Sequence, residues 1–296
     1  MLKNSSIFVI SDLHMGDKGY RDNFEIDDKR ENKLLSFLDF IEQNNGELII
    51  IGDLFEFWQG NIGEVFIKRI KVLDRLAKMK VKYITGNHDG CLKPLMGSNM
   101  LSHSFFKSMC LPFTMDINGK IFKFMHGHEY DPFNNSESPG WGEILSIFAG
   151  IQEDKNQGPM LPNGMLLEDY LQKFGEKAVM LWRNIYNVYI MLKNLFNKSS
   201  PLSSSSDPKQ NFRIKDNMSR IQQNIELIRK NRYNECYNIA ISGHTHKAGS
   251  FENWYHNSGS WNWINNEFLK IDCNSNVTHY LWTNSGPKQV FPIINF

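Results

Sequence analysis

Five short polar motifs, each following directly on an apolar or β-branched run, constrain this chain more than any other feature. They read Asp12-Leu13-His14, Gly52-Asp53, Gly86-Asn87-His88-Asp89, His126-Gly127-His128 and Gly243-His244-Thr245-His246. A short buried run ending in a polar residue reads as a strand that fixes the residue's direction while the loop beyond keeps it accessible. One such Asp alone is ordinarily a turn or cap residue. Five motifs in order, built from Asp, Asn and His at strand ends, instead call for one shared site. Oxygen and imidazole ligands without thiolate suit two divalent metals in a hydrolytic centre.

The runs between the motifs alternate in period. Residues 7–11, 48–51 and 81–85 read as buried strands. Segments 29–43 (Leu34, Leu35, Leu38, Ile41) and 65–79 (Ile67, Ile70, Leu73, Leu76) carry apolar residues at helical spacing. That alternation predicts parallel strands covered by helices. Residues 113–117 and 120–125, joined by Asn118-Gly119, read as a hairpin leading into His126. The tail segments 239–242, 248–255, 267–272, 277–283 and 289–296 read as short strands of a mostly antiparallel sheet. Two sheets face to face with helices outside accommodate both halves.

Residues 132–235 read as a helical insertion or cap, and 1–131 with 236–296 as the core. Within the insertion, 141–151, 166–197 and 214–232 have helical periodicity, interrupted by a Ser/Pro-rich break at 199–208. A net charge of +1 on 296 residues gives no global basic field, so nucleic acid is not expected as a partner. Cys91, Cys110, Cys236 and Cys273 form no CxxC pair, which fits a reducing compartment rather than a zinc ribbon or disulfide scaffold. Residues 1–6 lack the pattern of a signal peptide, and 178–196 is interrupted by Arg183, Asn184, Asn187 and Lys193. A cytoplasmic location is expected.

The series DxH, GD, GNHD, HGH, GHTH across residues 12–246 resembles the calcineurin-like metallophosphoesterase superfamily. That resemblance implies an α/β fold, a four-layer α/β/β/α sandwich with the helical insertion as a cap domain. It implies that Asp12, His14, Asp53 and His246 hold one metal. Asp53, Asn87, His126 and His244 would hold the second, with the Asp53 carboxylate bridging. Mn²⁺ is the first expectation, ahead of Fe²⁺ and Zn²⁺. His88 is expected to orient phosphate or protonate the leaving oxygen, with Asp89 holding its ring, because imidazole changes charge near neutral pH. His128 is left open between contact with substrate, contact with a metal ligand and a neighbouring hydrogen bond.

A narrower likeness rests on Asp53-Leu54-Phe55-Glu56-Phe57-Trp58, His126-Gly127-His128-Glu129-Tyr130-Asp131, His244-Thr245-His246-Lys247 and Gly259-Ser260-Trp261. These are similar to the UDP-2,3-diacylglucosamine diphosphatase branch. The resemblance implies cleavage of that lipid-linked nucleotide to UMP and 2,3-diacylglucosamine 1-phosphate in the lipid A pathway. The cap would then bury acyl chains and touch the inner membrane peripherally. Members of that branch have Arg where His88 stands and commonly Asp where His128 stands. A generic phosphodiesterase or phosphatase acting on a nucleotide or other phosphorylated substrate is therefore the alternative, and an inactive binding scaffold the third reading.

Overall fold

The computed structural model describes residues 5–19, 21, 22, 24, 29–98, 102–131, 134, 143, 220–262 and 266–294. The first half alternates as its periodicity requires: β1 (Ile7–Ile10), α1 (Lys29–Gln43), β2 (Glu47–Ile51), α2 (Ile62–Lys68), α3 (Ile70–Met79) and β3 (Lys82–Ile84). Then follow β4 (Met109–Cys110), β5 (Phe113–Ile117), β6 (Lys120–Phe124), α4 (Arg220–Glu235) and β7 (Ile239–Ser242). The chain ends in β8 (Gly249–Phe251), β9 (Tyr255–Asn257), β10 (Glu267–Ile271), β11 (Val277–Thr283) and β12 (Gly286–Val290).

These strands form a seven-stranded sheet in the order β12-β11-β10-β1-β2-β3-β4 and a five-stranded sheet in the order β5-β6-β7-β9-β8. Alternation along each strand assigns its side chains to two cores. Ile7 and Val9 of β1 and Ile49 and Ile51 of β2 face Phe122, Phe124, Ile239 and Ile241 of the other sheet. Phe8, Ile10, Leu48 and Ile50 point the other way, against Phe37, Leu38, Leu73 and Leu76 of α1 and α3. Across the second sheet, Ala240 and Tyr255 pack on Ile225 and Ile228 of α4. The layers are therefore α/β/β/α. Helix α4, which the sequence places inside the insertion, supplies the outer layer of the second sheet. The predicted helices at 141–151 and 166–197 and the break at 199–208 lie outside the described residues, apart from isolated Glu143.

Four expectations are corrected. The single helix expected over 65–79 begins earlier, where the Asn61 side chain accepts from Gly63 N and Glu64 N, and it breaks at Arg69. The tail strands do not form one sheet. β10, β11 and β12 extend the first sheet beside β1, while β7 and β9 run parallel to β6 in the second. The strand expected over 248–255 is a hairpin turning at Glu252 and Asn253, both at positive φ, and the last strand starts at Gly286 rather than 289.

The break at Arg69 has a cause far away in sequence. Its guanidinium is fully buried and donates to Asp22 Oδ2, to Glu31 Oε2 at 2.9 Å and to Gly16 O at 3.1 Å. Asp22 in turn accepts from Gly16 N and Lys18 N, so one cation gathers the loop that follows β1. Removing one partner from a buried ion pair strands the other charge. Arg69→Met is expected to destabilise the protein by about 3–5 kcal/mol, read as a lower urea midpoint; a loss under about 1 kcal/mol would contradict this role.

Candidate metal centre

Five parallel strands deliver the site. β1, β2 and β3 run parallel in one sheet and β6 and β7 in the other, and the five polar motifs occupy the loops at their carboxyl ends. The loops are stapled to one another by backbone bonds. Leu13 N and His14 N both donate to Asp53 O at 2.9 Å, and Gly243 N donates to His126 O at 2.9 Å. Asp12, His14, Asp53, His244 and His246 all have positive φ, between 48° and 70°. Five of the seven expected ligands thus hold a conformation that side chains other than Gly seldom adopt, the kind of strain that clusters at functional sites. Neighbouring glycines give the ligands room. A Cβ on Gly86 would lie 2.1 Å from Asp53 Oδ1, and one on Gly52 would lie 2.2 Å from His126 Nδ1.

The ligand atoms converge. His126 Nε2 lies 3.1 Å from Asp53 Oδ2 and 3.0 Å from Asn87 Oδ1. His246 Nε2 lies 3.3 Å from Asp12 Oδ1 and 3.1 Å from His14 Nε2. Among the described residues, potential ligand atoms fall into three groups in which all lie within 4.8 Å of one another: Asp12, His14, His246; His14, Asp53, His88; and Asp53, His126, His244.

The orientation of each imidazole decides what this convergence means. His126 Nδ1 donates to Ile51 O at 2.8 Å, since a carbonyl can only accept. His14 Nδ1 donates to Glu56 Oε2 at 3.0 Å, and His244 Nε2 to Asp131 Oδ2 at 2.7 Å. Each ring thereby spends one nitrogen on an oxygen and, in its neutral form, presents the other as a lone pair. Metal-binding histidines are typically fixed in this way. With the buried carboxylates of Asp12 and Asp53, the centre is a set of acceptors with few donors, and a cation is what such a set fits. Protons take that role in part. Burial opposes ionisation of Asp12, yet the His246 and His126 imidazoles hold its pKa down to about 2. Burial likewise opposes the charge on His126, and Asp53 overrides it, raising its pKa to about 10.

His88 lies beside this cluster, its ring centroid 4.4 Å from that of His14 and stacked on Trp58 at 3.7 Å. The partner expected for it is corrected. Asp89 accepts from Gly86 N at 2.6 Å, Leu54 N at 2.8 Å and the Tyr83 hydroxyl, so it ties strand-end loops together. Burial and the Asp53 charge push its pKa up to about 6. Glu56 holds the His88 ring instead, with Oε2 2.7 Å from His88 Nδ1. The same oxygen holds His14, and Glu56 is fully buried. Burial again opposes ionisation, and the charges and hydrogen bonds of His88 and His14 overcome it, leaving Glu56 at about 2. Sequence reasoning gave no role to Glu56 or Asp131. The available signal was a carboxylate inside the apolar run Leu54-Phe55-Glu56-Phe57-Trp58. Glu56→Gln is expected to weaken Mn²⁺ binding about 10–100-fold, measured by titration calorimetry; unchanged affinity would remove Glu56 from the support of the centre.

No curated protein gives a significant match to the chain. Solved structures similar to it include vacuolar protein sorting 29 from Cryptosporidium parvum, at 11% identity and a TM-score of 0.44, covering 97% of this chain and 96% of that one. Wild-type Vps29 from Entamoeba histolytica, complexed with zinc, matches at 13% identity and a TM-score of 0.42, covering 96% and 97%. A predicted phosphoesterase from Streptococcus pneumoniae matches at 10% identity and a TM-score of 0.37, covering 97% of each chain. The calcineurin-like phosphoesterase model matches residues 5–248, which include all five motifs and the strands β1, β2, β3, β6 and β7 that precede them. The chain belongs to the calcineurin-like phosphoesterase family of metal-dependent phosphoester hydrolases.

Proposed function

We propose that the chain is a dinuclear hydrolase that cleaves the pyrophosphate of UDP-2,3-diacylglucosamine, releasing UMP and 2,3-diacylglucosamine 1-phosphate. The observation that carries the dinuclear reading is the convergence on Asp53 of lone pairs from both sheets. Asp12, His14, Asp53 and His246 hold one ion, and Asp53, Asn87, His126 and His244 hold the other. Mn²⁺ is the ion proposed, because imidazole, amide and carboxylate ligands without thiolate suit it. When bound, the pair supplies an activated water near neutral pH and positive charge for the phosphoryl oxygens.

The chain's own groups do the rest. Glu56 accepts from His88 Nδ1 and so fixes the ring beside the centre, where His88 can give a proton or hydrogen bond to the leaving oxygen. Trp58, stacked on the His88 ring, fixes its plane and keeps water from that face. Asn87 contributes a neutral oxygen 3.0 Å from His126 Nε2, so the second position carries less negative charge than the first.

The choice of substrate rests on the residues around the motifs: Asp53-Leu54-Phe55-Glu56-Phe57-Trp58, His126 through Asp131, and Gly259-Ser260-Trp261. Residues 132–219, the part of the expected insertion that precedes α4, are proposed as a cap that buries acyl chains, each CH₂ contributing about 0.8 kcal/mol, and as the part that touches the membrane surface. No helix among the described residues is long and apolar enough to cross a bilayer. His88 in place of the arginine of that branch favours the second reading, a broader phosphodiesterase or phosphatase.

Mn²⁺-dependent release of UMP from UDP-2,3-diacylglucosamine, run beside bis-p-nitrophenyl phosphate and p-nitrophenyl phosphate, separates these readings. UMP release well above turnover of the small esters is expected. Turnover of the small esters alone would replace the lipid substrate with the second reading. Asn87→Ala and His126→Ala are each expected to lower turnover by on the order of a hundredfold or more while the circular dichroism spectrum is retained. Full activity in both would contradict the metal centre.

A further inference from the structure

We propose that His128 contacts substrate, hydrogen-bonding a phosphoryl oxygen held beside the Asp53, Asn87, His126 and His244 position; this rests on the dinuclear reading above. The turn after His126-Gly127 places the His128 ring against the two imidazoles of that position. Its centroid lies 5.3 Å from that of His126 and 6.3 Å from that of His244, and those two rings lie 5.2 Å apart. Three imidazoles thus crowd one end of the site.

His128 does not belong to any of the groups of potential ligand atoms lying within 4.8 Å of one another. Its place is beside the ion position rather than on it. The side chain is only 8% exposed, and its Nδ1 is buried with no hydrogen-bond partner among the described residues. Glu129 Oε2 is 3.5 Å from that nitrogen without hydrogen-bonding it, and accepts from Gly127 N at 3.0 Å. A buried ring nitrogen is normally satisfied, and one left unsatisfied next to a reactive centre points to a partner that arrives with the ligand. A phosphoryl oxygen is an acceptor of that kind, and the adjacent ion position would hold it within reach.

The test uses the Mn²⁺-loaded full chain and inorganic phosphate as the probe, with His128→Ala and His128→Asn; the Asn amide can replace a donor at the Nδ1 position. Calorimetry gives Mn²⁺ and phosphate affinities, and thermal melting checks the fold. His128→Ala is expected to bind Mn²⁺ within about twofold of wild type but phosphate about tenfold more weakly, the loss expected for one charge-assisted hydrogen bond. His128→Asn is expected to recover part of that loss. Unchanged phosphate affinity with intact Mn²⁺ binding would overturn this inference alone. Loss of Mn²⁺ binding in both variants, with the fold retained, would make His128 part of the ion site and overturn it too. A wild-type protein that binds no Mn²⁺ would overturn the dinuclear reading beneath it.

Discussion

The loops after β1, β3 and β6 all meet at the Asp53 carboxylate, which itself follows β2. Its Oδ1 accepts from His88 N at 2.9 Å, and its Oδ2 lies 3.1 Å from His126 Nε2 and 3.8 Å from His14 Nε2. Asp53 is 1% exposed, and burial alone would favour its neutral form. The imidazoles of His126, His88 and His14 outweigh that and hold its pKa well below the ordinary carboxylate range. An anion this deep is tolerable only with positive charge beside it. One residue thereby obliges two sheets, β1 with His14 and β6 with His126, to bring cation-binding groups to the same point.

That demand explains why the backbone is strained here. Asp12, His14, Asp53, His244 and His246 hold positive φ because their loops must turn side chains inward from strands that end side by side. The surrounding bonds fix the conformation. Asp12 accepts from His244 N through both carboxylate oxygens, Ser11 Oγ bonds Asp12 and Ser258 Oγ, and Trp261 N donates to Asp12 O. Further out, the buried Arg69 cluster anchors the loop that leaves His14. Strain at the centre rests on a rigid frame around it.

Most of the frame was legible in the sequence because it is written locally. Apolar runs of four or five residues gave β1, β2 and β7, and the 3.6-residue period gave α1. The motifs were legible because ligand residue types sit within three or four positions of one another at those strand ends. What escaped was decided across the chain. The break at Arg69 follows from Asp22 and Glu31, tens of residues upstream. The assignment of tail strands to two sheets depends on pairing partners, which strands as short as β8 and β9 do not encode in their own pattern. The turn at Glu252-Asn253 lacks the Asn-Gly signal that marks the β5–β6 hairpin. Glu56 and Asp131 act by holding histidines from other motifs, His14 and His88 in one case and His244 in the other. Spacing along the chain cannot show such pairings.

The account stands or falls on whether two cations share the Asp53 carboxylate. Crystals grown with Mn²⁺ and measured at the manganese absorption edge would show this directly. The account predicts two anomalous peaks about 3.5–4 Å apart, one on each side of Asp53, the first against His14 and the second against His126. A single peak, or two peaks neither of which touches Asp53, would contradict it.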